Sequence, residues 1–232
     1  MQIFLILFMI ALAATMWGRG RYRKIYQQEE ENTLAANITG ASIARRILEK
    51  RGVEGVDIIQ SRGLLDDFYS PENKRISLSP HHYSGTDFSS LAIASQQAGK
   101  AIQHFEGHRP LLWRVTSIRW TVFLSLPLVI LAAFALILGM NKTIFPLILL
   151  GWSLVAIWNI ITIPTELDAG ERAKRQLEDL RIFKNLDERV GVERVMGASS
   201  TAYIDGFYTL GSWAARTLLP WARKKMGPEE EA

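Results

Sequence analysis

Residues 91–108 read LAIASQQAGKAIQHFEGH, and the chemistry this stretch carries decides what kind of fold surrounds it. Alanines and aliphatics dominate, Gly99 stands near the middle, and His104 and His108 close the stretch. Gln96, Gln97 and Lys100 interrupt the apolar run. On a helix, positions 96 and 100 lie one turn apart on the same face. The preceding HHYSGTDFSS (81–90) is rich in Ser and Gly, and either Asp87 or Ser89 can cap the helix that follows.

Working outward, the 232-residue chain holds several long apolar runs, which suggests a membrane chain of one or two domains. It has no Cys, which excludes disulfides, thiolate metal sites and a Cys nucleophile. The formal net charge of +4 comes from Lys and Arg gathered beside the apolar runs, without an aromatic-basic module, so nucleic acid is not an expected partner.

The N-terminal run QIFLILFMIALAATMW (2–17) is followed at once by Arg19, Arg21, Arg23 and Lys24. A cleaved signal peptide carries its charge before the apolar run, so this order predicts an uncleaved anchor. TGASIARRILEKR (39–51) predicts an amphipathic helix, capped by Thr39 or Ser42, with Ile43, Ile47 and Leu48 on one face and Gly52 at its end. VDIIQ (56–60) and KRISLS (74–79) lean towards strand and predict a small two-stranded hairpin edge across an intervening turn-rich segment. Trp120–Met140 and Thr143–Ile163 are each long enough to span a bilayer and predict a helical hairpin turning at Asn141 and Lys142. The mixed-charge segment after Pro164 predicts one or two soluble helices. The last apolar stretch, Ala198–Leu219, contains Asp205 and Arg216 and is read either as a span or as an interfacial helix.

The expected organisation is thus an anchor at 2–18, a cytoplasmic domain at 19–119, a transmembrane hairpin at 120–164 and a cytoplasmic helical segment at 165–197. A transmembrane or interfacial helix at 198–219 and a tail at 220–232 complete it. The bias of Lys and Arg places 19–119 and the segment after Pro164 on the cytoplasmic side of a multi-pass cell-membrane protein. The basic WARKK tail conflicts with that arrangement if the last segment spans.

A zinc hydrolase helix of the H-E-x-x-H type places two His one turn apart on one metal, and its Glu takes a proton from the metal-bound water. The segment DFYSPENKRISLSPHHYSGTDFSSLAIASQQAGKAIQHFEGHRPLLWR (67–114) has that frame. It resembles the YugP-like family of bacterial membrane-bound neutral zinc metallopeptidases, whose members read approximately A-A-H-E-x-G-H-A-I-Q at the helix. The resemblance extends to the N-terminal anchor, to the Thr39–Leu48 helix, to the apolar hairpin and to PTELDA (164–169). It implies a mainly α-helical membrane protein, with three to four transmembrane helices and a small α+β zincin-like domain of the gluzincin type. It also implies that Glu166 stands at the third zinc-ligand position and Asp168 behind it.

Against that family pattern, Gln96 and Lys100 replace the two His and Gln97 replaces the catalytic Glu. A carboxamide is a weak zinc ligand beside imidazole, Gln97 cannot accept a proton as a carboxylate does, and Lys100 puts a cation where one would be bound. No intact catalytic set and no metal are therefore expected; zinc enters only under the rival reading of an active peptidase with an unconventional ligand set. Lys100 and Glu166 are instead expected to pair, helped by Asp168 or by the amides of Gln96 and Gln97.

Other candidates are weaker. His104 and His108 flank Glu106 in HFEGH, but Glu at the third position faces away from both His on a helix. His81 and His82, adjacent in an extended segment, would point apart and could meet His104 only through the fold. The serines form neither a Ser-x-x-Lys pair nor a Gly-x-Ser-x-Gly elbow. The resulting expectation is a catalytically inactive, membrane-anchored peptidase homologue. It would bind membrane proteins or peptide segments, alone or in a homo- or hetero-oligomer. A purely structural membrane scaffold is the remaining alternative.

Overall fold

The computed structural model describes residues 2–61, 67–139 and 163–202, together with positions 146, 148, 150 and 151. Its centre is the helix that carries the opening stretch, α4 (Phe88–Phe105), which is buried from Phe88 through Gln103. Asp87 caps it, accepting from the Ser90 amide at 2.8 Å. Such burial needs small residues, because other backbones must approach on several sides. Ala92, Ala94, Ala98 and Ala101 meet that need.

Four other helices surround α4: α1 (Gln2–Glu30), α2 (Gly40–Lys50), α6 (Ile163–Asp179) and α7 (Leu186–Ala202). Helix α2 starts at Thr39, whose hydroxyl accepts from the Ser42 amide, and turns Ile43, Ala44, Ile47 and Leu48 inward. It ends before Gly52, where φ is +65°, a conformation that glycine adopts without a Cβ penalty. The mixed-charge segment makes two helices. Helix α6 turns Ala169, Gly170, Ala173 and Leu177 inward, and Asn185 caps the amide of Glu188 at the start of α7. The Glu188 carboxylate accepts from the amides of Lys184 and Ala35, tying the head of α7 to the loop after α1.

Helices α4 and α6 approach closely at Gly99. A methyl group built on Gly99 would stand 2.1 Å from the backbone oxygen of Ala169. We therefore expect Gly99→Ala to destabilise the fold by about 1–3 kcal/mol, despite alanine's better helix propensity, because backbone must move to admit it. Chemical denaturation of the variant against the parent chain measures this.

Three strands flank the helices. β1 (Asp57–Gln60) runs parallel to β3 (Arg75–Leu78), while β2 (Phe68–Ser70) pairs antiparallel with β3, giving the order β1-β3-β2. The expected two-stranded hairpin is thus corrected. The stretch between the two predicted strands contains a third, and that strand is the one paired antiparallel with β3. Two further helices also touch α4. The five-residue α3 (Pro80–Ser84) is capped by Ser79, and α5 (Arg109–Ile137) leaves α4 through Gly107 at φ +70°. His81 and His82 consequently sit on a helical turn rather than in extended chain.

The expectation of three to four transmembrane helices is overturned. Among the described residues no helix is long and apolar enough to cross a membrane. For α1 the reason is visible in its length. An apolar half of about 16 residues rises about 24 Å, short of a hydrocarbon core of about 30 Å, and the same helix continues through Arg19–Lys24 to Glu30. Helix α5 opens with Arg109, Arg114 and Arg119. Most of the predicted second arm of the hairpin, and the segment from 203 onward, lie outside the described residues.

Candidate functional site

Gln96, Lys100 and Gln103 recur at spacings of four and three along α4, so their side chains share the face that meets α6 and α7. Lys100 lies opposite Glu166 of α6, with Nζ 2.9 Å from Oε2. On the other carboxylate oxygen, Arg114 of α5 donates from Nε to Oε1 at 3.1 Å. The side chains of Lys100, Arg114 and Glu166 are 10%, 2% and 2% exposed, so this is an ion-paired group in the interior. Burial pushes the Glu166 carboxyl up, but the nearby charges of Lys100 and Arg114 and their hydrogen bonds outweigh it. The group is held below the usual carboxylate range.

The pairing of Lys100 with Glu166 is the one expected from sequence, but its supporting partners are not. Asp168 faces elsewhere and the glutamine amides do not reach Glu166; the added hydrogen bond comes from Arg114. Gln96 is fully buried and held by α7, its Nε2 donating to Ser200 Oγ at 3.1 Å while its Oε1 accepts from Ser199. Gln97 is also fully buried, and neither of its amide atoms has a hydrogen-bond partner. Such a group costs free energy to bury, so the position at which the resemblance implies a catalytic glutamate is polar, enclosed and unsatisfied.

Asp168 belongs to a second, more exposed network. It accepts from Gln103 Nε2 at 2.7 Å and from Arg172 Nε at 2.6 Å. Arg172 also pairs with Glu106, which in turn pairs with Arg51 at the end of α2. Burial raises the Asp168 carboxyl, but the bonds from Arg172 and Gln103 leave it below its ordinary value. His108 approaches the same carboxylate at 3.9 Å. His104 turns away, with Nδ1 hydrogen-bonded to the Tyr69 hydroxyl at 2.8 Å. His104 and His108 therefore serve different neighbours. His82 is engaged by Tyr26 at 2.7 Å and His81 by Glu30 and Asp87, so neither joins His104.

The zinc ion implied by the resemblance can be tested against these donors. An ammonium has no lone pair to give, and in Lys100 it stands beside the one carboxylate of the set, whose other oxygen is bonded to Arg114. The remaining oxygen donors are carboxamides, of which Gln96 is already bound to two serines. This arrangement does not fit a dication. Among the described residues no group of three or more His, Asp or Glu side chains is placed to hold a metal ion.

Arg114, Ser199 and Ser200 escaped the sequence reading. Arg114 reaches Glu166 only because the turn at Gly107 sets the direction of α5, and no local spacing signals that. The serines lie in a stretch, GASS (197–200), that reads as small-residue packing until α7 is laid against α4.

Comparison with known proteins bears on the frame as a whole. The family model described as "Putative neutral zinc metallopeptidase" matches residues 2–214. The protein named "Putative membrane protease YugP" from Bacillus subtilis (strain 168) is 29% identical over 203 residues, covering 88% of this chain and 89% of that protein. No solved structure matches. With a match from α1 through α7 and on past residue 202, the chain belongs to this neutral zinc metallopeptidase family.

Proposed function

We propose that this member of the family has exchanged zinc hydrolysis for binding, acting as a pseudopeptidase that holds a membrane protein or a peptide segment. The observation that supports this reading is the Lys100 ammonium 2.9 Å from the Glu166 carboxylate. A side chain that would have to leave for zinc to enter neutralises the third-ligand position from within. Gln97 adds to the case, since a carboxamide cannot take a proton from water as the family's glutamate would. The choice of partner rests on the family, whose reaction is with peptides, and on the name of the Bacillus relative, which calls that protein a membrane protease. Membrane localisation of this chain is part of the same proposal.

The test is metal content with activity. The purified full chain is expected to carry no stoichiometric zinc and to show no chelator-sensitive peptide cleavage. One tightly bound zinc per chain, together with cleavage that a chelator abolishes and zinc restores, would overturn the proposal.

A further inference from the structure

The seam between α1, α3 and the head of α4 contains charge that the site above does not use. His82 is buried on α3, with Nε2 2.7 Å from the Tyr26 hydroxyl of α1 and Nδ1 2.8 Å from Asp67 Oδ2. Its neighbour His81 places Nε2 3.3 Å from Glu30 Oε1 of α1 and 3.2 Å from Asp87 Oδ2, the cap of α4. The two imidazoles are themselves edge-to-face at 5.4 Å between centroids. Asp67 and Asp87 are committed structurally, accepting from the amides of Ser79 and Ser90. The Tyr26 hydroxyl is pushed well above its ordinary value, first by burial and then by the charges of Glu30, Asp87 and Asp67, so it stays protonated.

The charge balance of this seam depends on protons. Glu30, Asp67 and Asp87 place three carboxylates around two imidazoles and a phenol. Among the described residues, the ion pairs of these three carboxylates are made only with His81 and His82. Helix α2 also packs here, but it contributes backbone, with Gly40 lying against the His82 carbonyl. When both imidazoles are neutral, no ion pair among the described residues offsets these three carboxylates. A proton on His81 sets one positive charge between carboxylates from two helices.

We propose that His81 and His82 form a proton-operated latch that fastens α1 to α3 and the head of α4 and tightens as pH falls through the imidazole range. It rests on residues outside the Lys100–Glu166 site and stands whether or not the chain binds peptides. Its output is the attachment of α1, whose first half exposes Ile6, Met9, Ile10, Met16 and Trp17.

Hydrogen exchange of the full chain tests the latch. After correction for intrinsic rates, amides of residues 20–32 should gain about five- to tenfold protection between about pH 8 and about pH 6. The His81→Gln/His82→Gln double variant should lose that pH dependence. His81→Arg, which supplies a permanent cation to Glu30 and Asp87, should keep α1 protected at the alkaline end. An unchanged pH dependence in the double variant, a fall in protection on acidification, or no protection from His81→Arg would each overturn the proposal. A folded His81→Arg chain guards against a double variant that merely fails to fold.

Discussion

Replacing Glu166 with Gln is expected to destabilise the fold by about 3–5 kcal/mol, the loss typical of removing one partner from a buried ion pair. Glu166 is the shared anion between Lys100 of α4 and Arg114 of α5, and its own helix, α6, crosses α4 at Gly99. Without it, two cations in the interior lose the same counter-charge. The loss should appear as a lower denaturant midpoint with an unchanged dependence on denaturant. Lys100→Met should also destabilise, but less, because Arg114 still pairs with Glu166. A double-mutant cycle between the two positions should return a coupling of at least about 1 kcal/mol. A cost below about 1 kcal/mol for Glu166→Gln would mean that the group is not held as described.

Acid gives the same prediction a second readout. Lys100 and Arg114 hold the folded carboxyl of Glu166 below its ordinary value even though burial opposes them. Its stabilising contribution is therefore fully present above the unfolded value of about 4.3, and it is lost as pH falls through the lower folded value. The stability gap between the parent chain and Glu166→Gln should be constant at neutral pH and narrow below about pH 4. A gap that widened on acidification would give the shift the opposite sign.

Installing the family pattern at three positions together, Gln96→His, Gln97→Glu and Lys100→His, is expected to give a chain that binds about one equivalent of zinc, where the parent chain is expected to bind none. Two imidazoles one turn apart and Glu166 make three ligands with a fourth position open. Removing the ammonium of Lys100 frees Glu166 Oε2, while Arg114 stays on Oε1 and can orient the carboxylate, as partners behind metal ligands commonly do. Single reversions should fail. Gln96→His alone leaves the Lys100 cation in place, and Lys100→His alone leaves Gln96 bonded to Ser199 and Ser200. Metal analysis after dialysis reads the result directly. A triple variant that folds but takes up no zinc would show that the frame itself, and not only its ligands, has changed.

Local chemistry made much of this protein legible from sequence. A cap at Thr39 or Ser42 and another at Asp87 or Ser89, the inward face of α2, the strand character of 56–60 and 74–79 and the small-residue helix at 91–108 each depend on a few neighbouring residues, and the structure takes Thr39 and Asp87 as the caps. The family frame was readable because H-E-x-x-H chemistry is local, with the key groups on one helical turn. The partnership of Lys100 with Glu166 followed from charge balance, since a buried carboxylate needs a cation beside it or a proton.

What the sequence could not decide was long-range geometry. Strand β2 is only three residues long and reads as turn until β3 lies beside it. Arg114 became the second cation on Glu166 because the Gly107 turn aims α5 at α6, and a side chain's partner across helices is not encoded in spacing along one of them. The apolar runs leave exposed side chains on α1 and α5, such as Ile6, Met16, Phe123 and Ile137, but among the described residues no helix is long and apolar enough to cross a bilayer. His81 and His82 were likewise read as extended and divergent. Ser79 and Pro80 start a helical turn there instead, and only packing against α1 and the head of α4 gives each imidazole its carboxylates.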